Sequence, residues 1–271
     1  MRKIKWGVLI VSAFSVALAL PGNVAHVQPL HDHFKAYNVT GPPLPVPIDV
    51  LLVDQFVEDP PGVQGVVERL SMFSPPVEKI LPGGEVSPIV NFEDHLMWYN
   101  LVGPVDEPQR TLLVTNQFGT DQEWVVKNPI LLLLPSWKVQ VNGAPTGHPA
   151  PADVDHYLCY EVISGPPVGL DGVTLTDQFH QEFVTVGDPM VFCNPVDKVL
   201  PDDGVGIYDN ENHLACYDIS PHLLPIPLEV WALDQFDGSI FNVLENQYLC
   251  VPSTKKIKPS GCFASIAEAV E

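Results

Sequence analysis

The residues of this chain that could do chemistry recur at fixed spacing. A histidine followed four residues later by a tyrosine occurs four times, and each histidine precedes a polar-Gln-Phe triplet by 21 residues. The four pairs are His33 with Tyr37, His95 with Tyr99, His156 with Tyr160, and His213 with Tyr217. The four triplets are Asp54-Gln55-Phe56, Asn116-Gln117-Phe118, Asp177-Gln178-Phe179 and Asp234-Gln235-Phe236. Imidazole and carboxylate groups are good metal ligands, so a ring of ligands is one interpretation.

A structural role for these repeated residues is the stronger interpretation. A residue that is present in every unit serves the fold that the units share, whereas an active site is usually unique and asymmetric. We therefore expect each histidine to form hydrogen bonds beside its tyrosine. The Asp or Asn of each triplet is expected at a turn or strand end, where its side chain bonds to nearby backbone. No metal and no cofactor is predicted at these positions.

Residues that occur in only one unit are better candidates for a site. One Gly-containing loop carries four acidic residues, Asp202, Asp203, Asp209 and Glu211. Such a loop suits a hard cation, but the spacing does not match an EF-hand, and a solvated acidic turn is the preferred interpretation. His148 and His180 have no Ser or Cys nearby in a recognisable nucleophile arrangement. The chain has no HExxH motif, phosphate-binding Gly-rich loop or CxxC pair, so no catalytic residue is predicted.

The spacing of the motifs divides the chain into four repeat units. The histidines are 62, 61 and 57 residues apart, and each unit also has a Pro followed three residues later by a Lys. These pairs are Pro76 and Lys79, Pro135 and Lys138, Pro195 and Lys198, and Pro252 and Lys255. The predicted units cover residues 27–84, 85–146, 147–204 and 205–260, with a tail at 261–271. Self-similarity at this period indicates a repeat architecture.

Within a unit the residues alternate as they do in half-buried β-strands. Residues 173–176 and 183–186 alternate apolar with polar side chains at a period of two. The chain has 29 prolines, which interrupt long helices. We therefore predict an all-β protein whose units each have four short antiparallel strands, the last ending before the repeat proline. The units are expected to form tandem sandwich-like modules, with a closed four-bladed propeller as the alternative.

The five cysteines are interpreted through the repeat. Cys159 and Cys216 occupy equal positions in units three and four, as do Cys193 and Cys250, and both intervals are 34 residues. The predicted disulfides are therefore Cys159–Cys193 and Cys216–Cys250, each joining the first and last strands of a unit. Cys262 is left over, as a free thiol, an intermolecular partner or a member of a reshuffled pair.

The other two units lack these cysteines. The equivalent residues are Trp98 with Leu133 in unit two and Ala36 with Ser74 in unit one. An apolar contact can replace the bridge in unit two, whereas the small pair in unit one supplies neither a bridge nor a large contact. The sequence therefore predicts that unit one is the least stable of the four.

The N-terminus indicates the compartment of the protein, and the net charge restricts its partners. Arg2, Lys3 and Lys5 precede an apolar run, which predicts a secretory signal peptide at residues 1–19 with cleavage after Ala19. The run is shorter than the roughly 20 residues that a membrane-spanning helix needs, and an uncleaved anchor is the alternative. The mature protein is expected to be soluble outside the cytoplasm. Its partners are not expected to include nucleic acid, because the net charge is −20.

Units three and four resemble a repeat in uncharacterised secreted proteins of bacteria and archaea, a domain of unknown function. The resemblance rests on four segments: His156-Tyr157-Leu158-Cys159-Tyr160, Leu175-Thr176-Asp177-Gln178-Phe179, Phe192-Cys193-Asn194-Pro195-Val196-Asp197-Lys198 and His213-Leu214-Ala215-Cys216-Tyr217. Units one and two resemble it less closely because their cysteines are missing. The resemblance implies an extracellular β-rich module and supplies no catalytic residues.

These features together favour a non-catalytic extracellular structural or adhesion protein, such as a cell-surface or filament component. Its expected partners are copies of itself or a cell-surface molecule. The alternative is an extracellular glycan- or calcium-binding module, and an enzyme is a third option because glycosidase carboxylates leave no short signature. Exposed aromatic clusters would favour glycan binding, whereas an exposed apolar patch or a pairable strand edge would favour assembly. Asn38-Val39-Thr40 forms an N-glycosylation sequon.

Overall fold

The structure is a computed structural model of the 271-residue chain. It describes residues 31–57, 62–103, 107–145, 153–199, 206–223 and 228–259. Several of the predictions concern positions outside the described residues: the signal peptide, His148, Asp202, Asp203, Cys262 and the tail at 261–271. Among the residues that are described, no helix is long and apolar enough to cross a membrane.

The described residues form β-strands and their connections, and the all-β prediction is confirmed. The strands are β1 (His33–Thr40), β2 (Ile48–Asp54), β3 (Val63–Ser74), β4 (Pro76–Ile80), β5 (Val86–Ser87), β6 (His95–Val102), β7 (Arg110–Asn116), β8 (Gly119–Val141), β9 (Ala144–Pro145), β10 (Tyr157–Ser164), β11 (Leu170–Thr176), β12 (Gln181–Val199), β13 (His213–Ser220), β14 (Leu228–Asp234) and β15 (Asp237–Ile257). Each unit supplies a first strand (β1, β6, β10 or β13), a second strand (β2, β7, β11 or β14) and a long strand. The long strands are β8, β12 and β15, and in unit one the consecutive pair β3 and β4.

The four units share one antiparallel sheet that closes into a ring. Each first strand pairs with the long strand of its own unit and with the long strand of the preceding unit. Strand β1 closes the ring by pairing with β15 of unit four. The predicted sandwich-like modules therefore differ from the structure. A separate unit would leave a strand edge unpaired. In this chain that edge pairs with a strand of the neighbouring unit.

The second strands connect units on opposite sides of the ring. Strand β2 of unit one pairs with β12 of unit three, and β11 of unit three pairs with β4 of unit one. Units two and four are joined in the same way, through β7 with β15 and β14 with β8. Each unit is therefore hydrogen-bonded through its backbone to the other three. In a propeller each blade would form its own sheet, so the alternative architecture also differs from this one.

The long strands correct the predicted strand boundaries. The third and fourth predicted strands of units two to four are one continuous strand, which runs through Pro135, Pro195 and Pro252. Beside Pro195, the pairing of β12 with β13 ends at Cys193 and the pairing with β2 begins at Val196. The proline stands where the partner on one side changes. At such a point a residue that lacks an N–H removes no ladder hydrogen bond on that side, so the strand can continue.

The ring strands bury side chains on both faces, because successive residues of a strand point to opposite faces. The smaller apolar cluster draws on ring strands alone and contains Trp98 and both disulfides. The larger cluster contains the repeat tyrosines and also packs against the second strands. The bridges Cys159–Cys193 and Cys216–Cys250 join directly opposite residues, with S–S distances of 2.00 and 2.03 Å. The two predicted disulfides are confirmed.

Candidate functional site

The repeated motif residues meet at four equivalent places, which we term junctions. A junction contains the His and Lys of one unit, the polar-Gln-Phe triplet of the next unit and the Tyr of the unit before. The triplet follows the second strand, which crosses to the opposite unit, and so its side chains lie against residues of other units. The junction between units four and one consists of His213, Lys255, Asp54, Gln55, Phe56 and Tyr160.

In every junction the Tyr hydroxyl bonds to the first residue of the triplet. The O–O or N–O distances are 2.6 Å for Tyr37 to Asp177, 2.8 Å for Tyr99 to Asp234, 2.9 Å for Tyr160 to Asp54, and 2.9 Å for Asn116 to Tyr217. Burial and the adjacent carboxylate raise the pKa of Tyr160 well above its ordinary value. The pKa of Tyr217, which is buried beside an amide, rises to about 12. The phenols are therefore neutral, and three of them donate to a carboxylate.

The same Asp or Asn also closes the turn at the end of its strand. Its Oδ1 accepts the backbone N–H of the triplet Phe in all four units, at 2.7 to 2.9 Å. The Phe ring then packs edge-on against the Tyr of the opposite unit. The ring centroids are 4.8 Å apart for Phe56 and Tyr160, 5.1 Å for Phe118 and Tyr217, 5.5 Å for Phe179 and Tyr37, and 5.3 Å for Phe236 and Tyr99. Each triplet thus fixes both its own turn and the tyrosine of a distant unit.

Three of the repeat histidines, His95, His156 and His213, are buried and accept a hydrogen bond at Nε2. The side-chain amide of Gln178 donates to Nε2 of His95 at 2.9 Å, and that of Gln235 donates to Nε2 of His156 at 2.6 Å. Burial, with a smaller effect of nearby Lys198, lowers the pKa of His156 to about 4. A neutral imidazole can accept these hydrogen bonds at pH 7. Within the described residues, no group of three or more His, Cys, Asp or Glu side chains could hold a metal ion.

The repeat lysines are buried in the same junctions. Burial lowers the pKa of Lys138, Lys198 and Lys255 to about 8, while an Asp of the adjoining triplet partly offsets the effect. Lys79 is fully buried, and its junction carries Asn116 instead of an Asp. Its pKa is lowered to about 7 by burial, and its ammonium group lies 5.3 Å from the centre of the Phe118 ring.

A second group of polar residues breaks the repeat instead of following it. Lys35 is fully buried, whereas the equivalent residues of the other units are Met97, Leu158 and Ala215. It lies next to the junction between units two and three. We use the name Lys35 network for Lys35, Tyr37, Asp177, His180, Glu182 and Asn246. Three units contribute to it, unit one through β1, unit three through β12 and the turn before it, and unit four through β15.

The Lys35 network pairs one buried cation with two buried carboxylates. The ammonium nitrogen of Lys35 lies 2.9 Å from Oδ2 of Asp177 and 2.9 Å from Oε1 of Glu182. Both contacts are ion pairs without the alignment of a hydrogen bond. The side-chain amide of Asn246 donates to both oxygens of Glu182, at 2.9 and 2.8 Å. Such a set of charges is stable in an apolar core only when the partners are held in place.

His180 is the partly exposed member of the Lys35 network. Its Nε2 lies 3.2 Å from Oε2 of Glu182, and its Nδ1 lies 3.5 Å from the hydroxyl of Tyr37. Both ring nitrogens therefore face groups of the protein. The sequence singled out His180 but gave no indication of Lys35, Glu182 or Asn246. A comparison of the units position by position could have found Lys35, because it is a charged residue where the other units are apolar.

The acidic loop is described from Asp209 onwards. Oδ1 of Asp209 accepts the backbone N–H of Glu211 at 3.0 Å, and its Oδ2 lies 3.2 Å from Nε2 of His31. The loop is further held by Asp155, whose carboxylate accepts the backbone N–H groups of Tyr208 and Asp209. These carboxylates are thus engaged with the protein. The interpretation of this loop as a solvated acidic turn, with calcium binding as the alternative, stays a prediction.

A groove of about 570 Å³ lies at the seam between units one and four. Its lining includes Asn38, Arg69, Ser71 and Glu245, and none of its lining residues is aromatic. Asn38, the first residue of the sequon, lies on β1, where its amide donates to Glu245 at 3.3 Å and to Gln247 at 3.1 Å. The groove is therefore polar and is not the aromatic platform that would favour glycan binding.

Fold and junctions together define a class of protein, a closed four-unit β-repeat protein held together by contacts between units. The chain belongs to the family DUF7450, a repeat of unknown function, whose family model matches residues 95–252, more than half of the chain. The match covers all of unit three and most of units two and four. No curated protein and no solved structure shows significant similarity to the chain.

Proposed function

We propose that this chain is a non-catalytic structural or adhesion component of an extracellular or cell-surface assembly, secreted like the bacterial and archaeal proteins that units three and four resemble. The observation that carries the proposal is the use of the repeated side chains. In each junction the Tyr, the triplet and the Lys contact other units of the same chain. The side chains that recur in all four units thus hold the units of the ring together.

The disulfides support an extracellular location. Two bridges lie in the smaller apolar cluster, and structural disulfides persist mainly in oxidising compartments. A soluble body with this many contacts between its units is suited to bear load or to present a surface. Such an assembly requires a surface through which copies of the protein can bind each other.

A free edge of the sheet, at β5, offers such a surface. Among the described strands, β5 pairs only with β4, so that its other edge is open. Three large apolar side chains near this edge are exposed, Val86 at 51%, Val90 at 49% and Phe92 at 66%. An open strand edge beside apolar side chains can pair with the same edge of a second copy. This combination favours self-association.

Sedimentation velocity over a range of protein concentrations tests the proposal. We expect the mature chain to form dimers or larger species at micromolar concentration, and the double variant Val90→Ser with Phe92→Ser to remain monomeric. Phe183→Ser is the matched control, because Phe183 is equally exposed at 69% but lies on β12. A wild-type chain that stays monomeric throughout, or one that turns over a glycan, peptide or ester substrate, would contradict the proposal.

A further inference from the structure

We propose that Lys35 and Asp177 form a covalent isopeptide bond in the mature protein, promoted by Glu182. The bond would join β1 of unit one to the turn that follows β11 of unit three. It goes beyond the proposed function and does not depend on it. Lys35 is a buried lysine whose ammonium nitrogen lies 2.9 Å from a carboxylate oxygen of each of the other two residues.

Position and burial supply the first requirement, which is a reactive pair held together without water. The side chains of Lys35 and Asp177 are both 0% exposed, and that of Glu182 is 1% exposed. The amine nitrogen is 2.9 Å from Oδ2 of Asp177. Two groups held at contact distance react with an effective concentration far above that of free reactants. Exclusion of water also opposes hydrolysis of the product.

The second requirement is a carboxyl group whose two oxygens have different roles in the reaction. The hydrogen bonds of Asp177 distinguish its two oxygens in this way. Its Oδ1 accepts the backbone N–H groups of Phe179 at 2.7 Å and His180 at 3.1 Å. These donors can stabilise the negative charge that develops on Oδ1 during attack, as in an oxyanion hole. Its Oδ2 faces the Lys35 amine and accepts the hydroxyl of Tyr37 at 2.6 Å. Oδ2 is therefore the oxygen placed to leave.

Glu182 supplies the third requirement, a group that moves protons. Its Oε1 lies 2.9 Å from the Lys35 nitrogen, so it can take a proton from the ammonium. Asn246 holds both of its oxygens, and His180 contacts Oε2. The carboxylate is thus fixed beside the reacting atoms. No other unit has a glutamate at this place: the residues opposite the equivalent strand positions are Gln122, Ser239 and Val63.

The reaction balances without a further reactant. The Lys35 ammonium passes one proton to Glu182, and the free amine attacks Cγ of Asp177. The bond from Cγ to Oδ2 then breaks, and Oδ2 leaves as water with one proton from Glu182 and one from the amine. Oδ1 becomes the amide oxygen, and Glu182 is again a carboxylate. The neutral amide replaces the charged side chains of Lys35 and Asp177, and the Glu182 carboxylate keeps its hydrogen bonds from Asn246.

The bond would also supply unit one with a covalent link. Units three and four each have a disulfide, whereas unit one has Ala36 and Ser74 at the equivalent positions. An isopeptide bond from Lys35 to unit three would tie unit one to the ring by a link that reducing agents do not break.

Peptide mapping by mass spectrometry tests the proposal. The secreted chain is reduced, alkylated and digested with trypsin. We expect no cleavage after Lys35, because its amine is an amide, and a cross-linked peptide pair lighter by one water whose fragments place the link between Lys35 and Asp177. A wild-type protein that is folded but is fully cleaved after Lys35 would overturn the proposal.

Two variants separate the chemistry from folding. Glu182→Gln keeps both linked residues and introduces the residue type found at Gln122, and we expect it to fold with both disulfides but without the link. Lys35→Met introduces the residue type of Met97 and also removes the link. Lys79→Met is the control, because Lys79 is a buried lysine of another junction. In this variant the link between Lys35 and Asp177 should form as in wild type. A full yield of link in Glu182→Gln would overturn the assignment of Glu182 as the proton carrier.

Discussion

At the scale of single residues, the junction of Lys79 has one negative charge fewer than the junctions of the other three repeat lysines. Its junction has Asn116 where the others have Asp54, Asp177 or Asp234. The amide still bonds Tyr217 and closes the turn, so the shape of the junction is kept while the negative charge is lost. Burial destabilises the Lys79 ammonium relative to the neutral amine, and Glu85 offsets this effect only in part.

This difference predicts how stability changes with pH. The pKa of Lys79 is about 7 in the folded chain, below its ordinary value of 10.5. Between these two values the unfolded chain binds a proton that the folded chain does not, so the free energy of unfolding rises with pH over that window. Lys79→Met should therefore raise stability at pH 6, by up to roughly 5 kcal/mol, and the gain should shrink as the pH approaches 10. Denaturant unfolding at several pH values measures it.

Lys256→Met is the control for this experiment, because Lys256 is exposed and pairs with Asp121 at the surface. Its effect on stability should not change between pH 6 and pH 10. A second variant, Asn116→Asp, places a carboxylate beside Lys79 as in the other junctions. It should raise the pKa of Lys79, so that the rise in stability begins at a higher pH than in wild type. Superimposable curves for Asn116→Asp and wild type would show that the charge of this residue does not act on Lys79.

The hydroxyls of the repeat tyrosines make a separate prediction. Tyr160→Phe removes the donor to Asp54 and leaves a buried carboxylate with fewer hydrogen bonds. We expect a loss of about 1.5–3 kcal/mol of unfolding free energy, the range for hydrogen bonds to charged groups. Tyr208→Phe is the control, because Tyr208 is 68% exposed. Equal effects of the two variants in urea unfolding would contradict a structural role for the junction hydroxyl.

The sequence identified most junction residues but not their partners. The spacing of His95, Tyr99 and Asn116 within unit two is visible in the chain, because each unit repeats it. The contacts are not visible, since Tyr99 bonds Asp234 and Asn116 bonds Tyr217, both in unit four. The repeat period shows that the units are alike, but it does not show which units contact each other.

At the scale of elements, the strand type and the disulfides followed from local pattern, whereas the long strands did not. Alternation of side chains and equal cysteine positions are properties of short segments, and both predictions are confirmed. The fusion of two predicted strands through Pro195 depends on a change of neighbour, from β13 to β2, that no local pattern encodes. Pairing across the ring similarly involves residues more than one unit apart.

The ring also changes the expected order of stability among the units. The sequence predicted that unit one is the weakest, but β1 pairs with β3, β4 and β15, so that its strands are held by unit four as well. Loss of one bridge by the double change Cys159→Ala and Cys193→Ala should therefore destabilise the whole ring by roughly 3–4 kcal/mol, the estimate for a loop of this size. Hydrogen exchange should show units one and three opening together. Faster exchange confined to unit three would indicate separate stability of the units.

At the scale of the whole molecule, the ring predicts that the units cannot fold in isolation. Removal of unit one, at residues 27–84, leaves the edges of β15 and β6 without the strands β1 and β3 that pair with them. Open edges of this length associate with other chains. We therefore expect a chain from residue 85 to the end to aggregate or to lack a cooperative transition, even though it contains the whole segment that matches the family.

Fragment complementation provides the sharper measurement. When the fragment covering unit one is added to the chain from residue 85 onwards, the backbone pairing of β1 and β3 can close the ring without a covalent connection. We expect a one-to-one complex with a single unfolding transition, seen by size exclusion and circular dichroism. The isopeptide bond would appear in the same complex as a covalent link between the fragments, absent with Glu182→Gln. A three-unit chain that folds alone as a monomer with a cooperative transition would show that the ring contacts are dispensable, and that each unit carries enough of its own core to stand as a separate module.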